Sequence, residues 1–464
     1  MSEASLFSEF ENQTEAEWKA KILKDLRGKA FEELLSTNAD GFEIQPIYTA
    51  ESSPLKNQPL KEHPKWDNVM EILVLDAKAA NTEALMYLNK GATSLLFYLP
   101  GKVDLEVLLK DIELPYICTN LVIEGEINYY LEALKQLINT RGYQEEELEG
   151  SINFDPIENL ARTGDWFKDE QSDLAALAQL NEAHFKGFRT LCLNTNLFAN
   201  AGASIAQQLG IALAMAYEYS HQLQLNGSRG FWVNFAINSD YFGEIAKLRA
   251  FRRIWAQWQS EMGFPQDEVR IYAESALRNK SILDKHNNLI RTTAEAMSAV
   301  IGGATEICVK GFGEPLEDQG FFPRRLALNQ LSMLQHEGRL DQVRDMAAGN
   351  YWVEKLTEDY ASAGWNFFKQ IEAEGGLIAS LKEGWLQAEI ARIAAAEQGR
   401  FDAGDLKLIG VNYYRKDQET FSDELKAKLR SSAPSDKATA IEKVRPQRLA
   451  ENLERDIILE NSAS

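Results

Sequence analysis

The sequence predicts an α/β protein built around a (β/α)8 TIM barrel, with an N-terminal arm and a C-terminal helical extension. Three observations support this class. Eight short apolar runs alternate with helical patterns between residues 70 and 310. A helical stretch from Arg291 ends on Gly302-Gly303 and leads at once into a strand-like run, which makes an αβ unit. Strand-like runs then stop near residue 350.

The arm is assigned to residues 1–68. Thr14 and Glu17 have the spacing of a capping box, so a helix is expected to start there. Trp18, Ile22 and Leu26 then fall on one face of that helix. The stretch that follows is extended and loop-like, which is typical of a segment that lies on a core rather than forms one.

The barrel is assigned to residues 69–350. Each predicted strand is short and apolar, and each is followed by a helical pattern, so parallel βαβ units are expected. Periodicity does not show closure, so an open doubly wound sheet is an alternative. The predicted strands are Glu71–Leu75, Ser94–Leu99, Ile117–Ile123, Ile152–Phe154, Phe188–Leu193, Phe231–Ile237, Val269–Ala273 and Glu306–Val309.

The remaining residues are predicted to be helical and then polar. Residues 351–425 contain two long amphipathic patterns, Tyr351–Ala373 and Ile378–Gln398, which are expected to pack outside the barrel. Residues 426–464 form a polar tail, in which Arg445–Ile457 is predicted as a short helix of a mobile segment.

Composition excludes several classes of function. The chain has 464 residues and a formal net charge of -21. That charge argues against nucleic acid and against anionic membrane surfaces, since both are bound through Lys and Arg. No apolar run approaches the roughly 20 residues of a membrane helix. The three cysteines lie in separate apolar runs without a CxxC pair, which indicates buried thiols in a reducing cytoplasm and no zinc site.

Several motifs in a consistent order resemble one family. They are Gly41–Tyr48, Asn81–Gly91, Asn200–Gly210, Glu244–Trp255, Asp284–Ala304 and Asn350–Thr357. Together they resemble the barrel of the adenosylcobalamin-dependent acyl-CoA mutases, methylmalonyl-CoA mutase above all. The resemblance implies the barrel fold and interconversion of methylmalonyl-CoA and succinyl-CoA by the family's catalytic chains.

Two departures fall where that family has its catalytic groups. Thr195, Asn196 and Leu197 stand in place of the family's Gly-Tyr-His, whose histidine contacts the acyl-CoA carbonyl. Leucine cannot donate a hydrogen bond there. Tyr272 and Glu274 flank an alanine where the family has His-Cys-Gln, and the new carboxylate disfavours an anionic thioester ligand. The resemblance therefore implies a degenerate pocket at Asn196, Leu197, Tyr272 and Glu274, without catalytic residues.

Further departures concern an aromatic loop and the cofactor. Lys61–Trp66 stands where the family has a loop that inserts a tyrosine beside the substrate. The family's cobalt ligand is the histidine of an Asp-x-His-x-x-Gly motif in a flavodoxin-like domain, and no such motif occurs here. Asp284-Lys-His286 has its first letters, but Leu289 replaces the glycine. About 40 residues follow the helical region, too few for a further domain of usual size.

Three histidines and two arginine pairs are weaker candidates for functional residues. His184 lies on an apolar helical face, and His221 and His336 fall near predicted helix ends, where positive charge complements the dipole. Arg252-Arg253 and Arg324-Arg325 could contact a CoA phosphate or form salt bridges on an acidic protein.

The resemblance as a whole implies a small, non-catalytic chain of a heterodimeric mutase. In that interpretation a large subunit binds adenosylcobalamin and catalyses the rearrangement, while this chain binds no cofactor or metal and stabilises its partner. Two alternatives remain open. The barrel could have its own altered acyl-CoA activity, with Glu274 as base and Asn196 as donor, or it could be a regulatory module that binds acyl-CoA.

Overall fold

The structure of the protein is a computed structural model that describes residues 13–38, 40–53, 58–183, 185–227, 230–316, 320–416, 419–431 and 438–460. His184 lies outside these residues. A barrel of parallel strands forms the centre, and helices surround it. The predicted α/β class and barrel are both confirmed.

The N-terminal arm lies against helices of the outer layer. The predicted capping box is present, because Thr14 and Glu17 bond to each other's backbone. Further along, Asn38 Nδ2 donates to the Tyr360 hydroxyl at 3.0 Å, and the Phe42 ring lies 5.1 Å from the Tyr360 ring. The elements of the arm are α1 (Glu15–Asp25), β1 (Ser36–Thr37) and β2 (Glu43–Ile44), of which the two strands pair antiparallel.

The barrel sheet is parallel throughout and closes on itself. Its order is β7-β6-β5-β4-β3-β11-β10-β9-β8, and β7 and β8 are two pieces of one strand interrupted at Thr190. The two ends of the order therefore meet, and the open sheet is excluded. The strands are β3 (Asp67–Leu73), β4 (Ser94–Leu99), β5 (Cys118–Ile123), β6 (Glu149–Asn153), β7 (Phe188–Arg189), β8 (Leu191–Asn194), β9 (Phe231–Ile237), β10 (Arg270–Ser275) and β11 (Glu306–Cys308).

Helices follow the strands and cover the barrel. Their ends have the expected chemistry: Ser204 and Gln207 form a capping box at the start of α8, and Gly303 ends α10 with a left-handed φ of 88°. The helices are α2 (Ala77–Leu88), α3 (Leu105–Leu108), α4 (Ile127–Arg141), α5 (Pro156–Thr163), α6 (Glu170–Glu182), α7 (Asn196–Asn200), α8 (Ile205–Gln222), α9 (Tyr241–Glu261), α10 (Asn287–Gly302) and α11 (Phe321–His336).

The C-terminal helices pack on this outer layer. The first of them crosses α8 so closely that both helices need glycine at the contact. A Cβ on Gly364 would lie 2.6 Å from the Leu209 Cβ, and one on Gly210 would lie 2.8 Å from the Phe368 backbone nitrogen. The helices are α12 (Tyr351–Ala373), α13 (Leu377–Lys382), α14 (Trp385–Asp402), α15 (Asp423–Ser431) and α16 (Glu451–Glu460).

Two predictions for this region are wrong. The single helix expected over Ile378–Gln398 is two helices, α13 and α14, because Gly384 has a φ of 75° between them. The helix near the C-terminus is present but packs on the rest of the chain instead of lying in a free tail, since the Ile458 side chain is fully buried. Glu454 accepts hydrogen bonds from Ser281 Oγ at 2.7 Å and from the Ile282 backbone at 2.8 Å, which attaches α16 to the barrel.

Candidate functional site

The barrel brings three of the four predicted pocket residues into one network at the carboxyl ends of its strands. Tyr272 and Glu274 are two positions apart on β10, so both side chains point to the same face. Asn196 begins α7 directly after β8, and its Nδ2 donates to Glu274 Oε1 at 2.5 Å. Active sites of such barrels lie at this end.

Two charged residues that the sequence analysis did not select complete the network. Lys310, just after β11, forms ion pairs with Glu71 on β3 and with Glu274 Oε2, the latter at 3.4 Å. The Tyr272 hydroxyl donates to Glu71 Oε1 at 2.8 Å, and the Tyr98 hydroxyl donates to the same oxygen at 3.2 Å. One partly buried lysine, with a side chain 18% exposed, thus serves two carboxylates.

Because Lys310 is shared by two carboxylates, the pKa values of all three groups depend on one another. Burial alone would lower the pKa of Lys310, but the carboxylates of Glu274 and Glu71 outweigh it and raise that pKa well above its usual range. Burial would raise the pKa of Glu71, yet Lys310 holds it below the usual range. Burial raises the pKa of Glu274 despite Lys310, and the charge of Glu71 adds to the effect. Of the two carboxylates, Glu274 is therefore the one that takes up a proton more readily.

The fourth predicted residue, Leu197, lies apart from this network in the apolar core. Its side chain is 5% exposed on α7 and can donate nothing. The preceding Thr195 is also turned inward, because its hydroxyl donates to the Asn234 carbonyl at 2.7 Å. This turn therefore presents Asn196 as its polar side chain, and Asn196 is already bonded to Glu274.

A second polar cluster fills the amino end of the barrel. The Glu306 carboxylate is fully buried there and accepts hydrogen bonds from Asn120 Nδ2 at 2.7 Å and from Trp232 Nε1 at 3.1 Å. Arg270 Nη2 lies 3.4 Å from the same carboxylate. This cluster was not predicted from the sequence. Glu306 and Arg270 are charged residues at the first positions of apolar strands, and that pattern could have indicated it.

Bulky side chains occupy the space between the two clusters. The rings of Trp232 and Tyr272 lie 5.0 Å apart, and both side chains are buried. Val69, Leu96 and Cys192 pack against them. The barrel interior at this level is close-packed, as in barrels whose interior is a core rather than a pore.

Other predicted residues lie away from this end or are paired. The Lys61–Trp66 segment is at the amino end, where Lys61 Nζ donates to the Ala304 carbonyl at 3.3 Å. Arg252 Nη2 donates to the Gly303 carbonyl at 2.6 Å, and Arg324 pairs with Glu83. The salt-bridge interpretation of the arginine pairs therefore holds for Arg324, and Arg253 likewise pairs with Glu358.

Cysteine and histidine side chains form no metal centre among the described residues, where no group of three His, Cys, Asp or Glu side chains could hold an ion. The three cysteines are buried and free, as predicted, and burial raises the pKa of each thiol well above its usual range. His286 is exposed at the start of α10, 5.0 Å from the Phe312 ring. No helix in the described part of the chain is long and apolar enough to cross a membrane.

Comparison with known proteins identifies the family. Residues 101–461 match the family model described as methylmalonyl-CoA mutase. The chain belongs to the methylmalonyl-CoA mutase family. It is 33% identical over 428 residues to the methylmalonyl-CoA mutase small subunit of Porphyromonas gingivalis, covering 83% of this chain and 67% of that one. It is 31% identical to the small subunit of Streptomyces virginiae, covering 88% and 72%.

The human mitochondrial enzyme is a more distant relative than the two small subunits. The human mitochondrial methylmalonyl-CoA mutase is 25% identical over 459 residues, covering 87% of this chain and 61% of that one. Within the methylmalonyl-CoA mutase family, this chain is therefore more similar to the two small subunits than to the human enzyme.

Proposed function

We propose that this chain is the small, non-catalytic subunit of a heterodimeric methylmalonyl-CoA mutase, and that it stabilises a large subunit in the cytoplasm. One observation carries the proposal. At the end of the barrel where substrate chemistry is expected, Lys310 is bonded on both sides by Glu71 and Glu274, and Asn196 binds the remaining side of Glu274. Glu71, Glu274 and Lys310 are thus held in ion pairs with one another, and Glu274 Oε2, which has no hydrogen bond, lies 3.4 Å from Lys310 Nζ. This pairing disfavours a role in activating a thioester.

The surrounding side chains support the same role. Leu197 supplies a buried apolar group where the family has its histidine. The Tyr272 ring fills the barrel beneath Glu274, and its hydroxyl donates a hydrogen bond to Glu71. A packed interior of this kind suits a rigid scaffold, because Glu71, Glu306 and Lys310 are each bonded to other side chains of the barrel.

We further propose that adenosylcobalamin belongs to the large subunit, where it supplies the radical chemistry of the rearrangement. The segment Asp284–Leu289, whose first letters match the cobalt-ligand motif, does not fit the task of binding cobalt. Asp284 Oδ2 accepts from Asn287 Nδ2 at 2.8 Å and makes no bond to His286, while Leu289 occupies the glycine position on α10. No step is therefore assigned to the cofactor in this chain.

The proposal is tested by mutase turnover with added adenosylcobalamin. Three samples are compared: this chain alone, the candidate large subunit alone, and the co-expressed, co-purified pair. We expect succinyl-CoA formation by the pair and none by this chain alone. Glu274→Gln in this chain should leave turnover by the pair unchanged, because the side chain has no chemical role. Turnover by this chain alone would contradict the proposal.

One observation favours a second candidate, an acyl-CoA activity of the barrel itself. Burial raises the pKa of Glu274, as a general base requires. The carboxylate is nevertheless bonded to Asn196 and paired with Lys310. Saturable binding of methylmalonyl-CoA by the isolated chain, lost in Glu274→Gln, would favour this candidate. Binding that survives the substitution would instead favour a regulatory module.

A further inference from the structure

A ligand-sized cavity lies beside the barrel network and shares none of its residues. Its volume is about 530 Å³, within the usual range for small-molecule sites. It opens above the carboxyl ends of β8, β9 and β10, where the loops after these strands face the arm and helix α14. Neither Asn196 nor Glu274 nor Lys310 lines it.

Four of the charged groups around the cavity cancel in pairs. Arg278 Nε donates to Glu397 Oε2 at 2.6 Å. Lys247 Nζ, just behind the lining, lies 2.5 Å from Glu244 Oε2. These two pairs are part of the wall and leave its net charge unchanged.

Two carboxylates on the wall formed by the arm and the start of α9 make no direct contact with a cation among the described residues. Asp40 Oδ1 accepts from the Ala206 backbone N–H at 3.0 Å, and Asp240 Oδ1 accepts from the Gly243 N–H at 3.1 Å. Neither forms an ion pair within the described part of the chain. Burial raises the pKa of both groups; the charge of Asp240 adds to the effect on Asp40, while the charge of Lys247 partly offsets the effect on Asp240. A carboxylate has about four acceptor positions, so each can accept further donors.

Two cations line a different wall, formed by α14 and the segment after it. Arg400 is exposed and forms no ion pair among the residues that the structure describes. Lys407 is also exposed, with its Nζ 4.5 Å from the centre of the Tyr413 ring. Buried apolar side chains of Phe401 and Leu408 lie along the same cavity. Within the described residues, the cavity thus offers two carboxylates without a direct ion pair on one wall, an apolar surface, and two cations without a direct ion pair on another wall.

We propose that this cavity binds a small zwitterion of the ω-amino-acid class. The ammonium group lies between Asp40 and Asp240, where each carboxylate accepts one of its hydrogen bonds. The anionic group lies toward Arg400 and Lys407, and the methylene chain packs on Phe401. A purely anionic or purely cationic ligand would meet only one of the two sets of charges, whereas a zwitterion meets both. This site is independent of the subunit role proposed above.

The test is isothermal titration calorimetry of the full chain with ω-amino acids from glycine to 8-aminooctanoate. Hexanoate and hexylamine serve as half-ligands. We expect at least one zwitterion to bind saturably and more tightly than both half-ligands. Asp40→Asn and Arg400→Gln should each weaken that binding about tenfold, the usual effect of losing a charge-assisted hydrogen bond. In Asp40→Asn the side chain keeps an oxygen that can accept from the Ala206 N–H of α8, so we expect the fold to be retained.

Matched controls separate binding from general effects of charge. Asp169 accepts from the Ser172 N–H at the start of α6, and Arg392 pairs with Glu389 on α14; neither lines the cavity. Asp169→Asn and Arg392→Gln should leave the affinity unchanged. Three results would each overturn the proposal: no binding by any member of the series, equally tight binding of a half-ligand, or equal weakening by the controls.

Discussion

Replacing Lys310 by methionine tests whether the network at the carboxyl ends holds the barrel together. The substitution removes the one cation that Glu71 and Glu274 share. The side chains of Glu71 and Glu274 are 16% and 4% exposed, so water compensates little. Removing one partner of a buried ion pair costs about 3–5 kcal/mol. Glu274 keeps its bond from Asn196, so we expect the lower end, about 3 kcal/mol.

The loss should depend on pH with a definite sign. Without Lys310, burial raises the folded-state pKa of the two carboxyl groups above their unfolded values. Groups of this kind bind more protons in the folded state, so stability falls as pH rises and recovers as pH falls. In the native chain the raised pKa of Lys310 means that its contribution is present throughout the neutral range and is lost only at strongly alkaline pH.

The assay is equilibrium urea unfolding of the native and variant chains between pH 5 and pH 8, followed by tryptophan fluorescence. Lys21→Met is the control, because Lys21 is 68% exposed in its pair with Asp25. Exposed pairs contribute roughly 0.2–1 kcal/mol, so this control should change stability little. A loss in Lys310→Met no larger than in Lys21→Met, or one that is the same at pH 5 and pH 8, would refute the reasoning.

Three further predictions concern packing. Gly364→Ala should destabilise the chain by about 1–3 kcal/mol in urea unfolding, because its Cβ would meet Leu209 at 2.6 Å. Gly399→Ala on α14, with nothing within 4 Å, should be neutral or stabilising, and equal losses for the two variants would contradict the explanation. Ile458→Ala should cost about 2–5 kcal/mol in the same assay if α16 belongs to the core, whereas an unchanged urea midpoint would show that it does not. The three buried thiols should react with a disulfide reagent only on unfolding, and rapid labelling of the native chain would disprove their burial.

The sequence predicted the barrel well because strand and helix periods alternate clearly, and predicted Ser94–Leu99 and Phe231–Ile237 coincide with β4 and β9. The sequence did not identify Glu71 or Lys310 as residues of the candidate site. Parallel strands covered on both faces read as continuous apolar runs, so the direction of a side chain is not visible in the pattern. The two residues are also 239 positions apart and meet only when the barrel closes.

Charge balance explains why the barrel network and the neighbouring cavity differ in what they can do. One lysine and two carboxylates carry a net charge of −1 when all are ionised. Burial raises the pKa of Glu274, so this residue is the one whose protonation would bring the network to neutrality. In the cavity, Arg278 pairs with Glu397 and Lys247 with Glu244, but Asp40 and Arg400 lie on different walls and form no ion pair with each other. A cluster of mutually paired charges favours rigidity, whereas the separated charges of the cavity leave donor and acceptor positions for a ligand, so any ligand of this barrel is expected beside its axis.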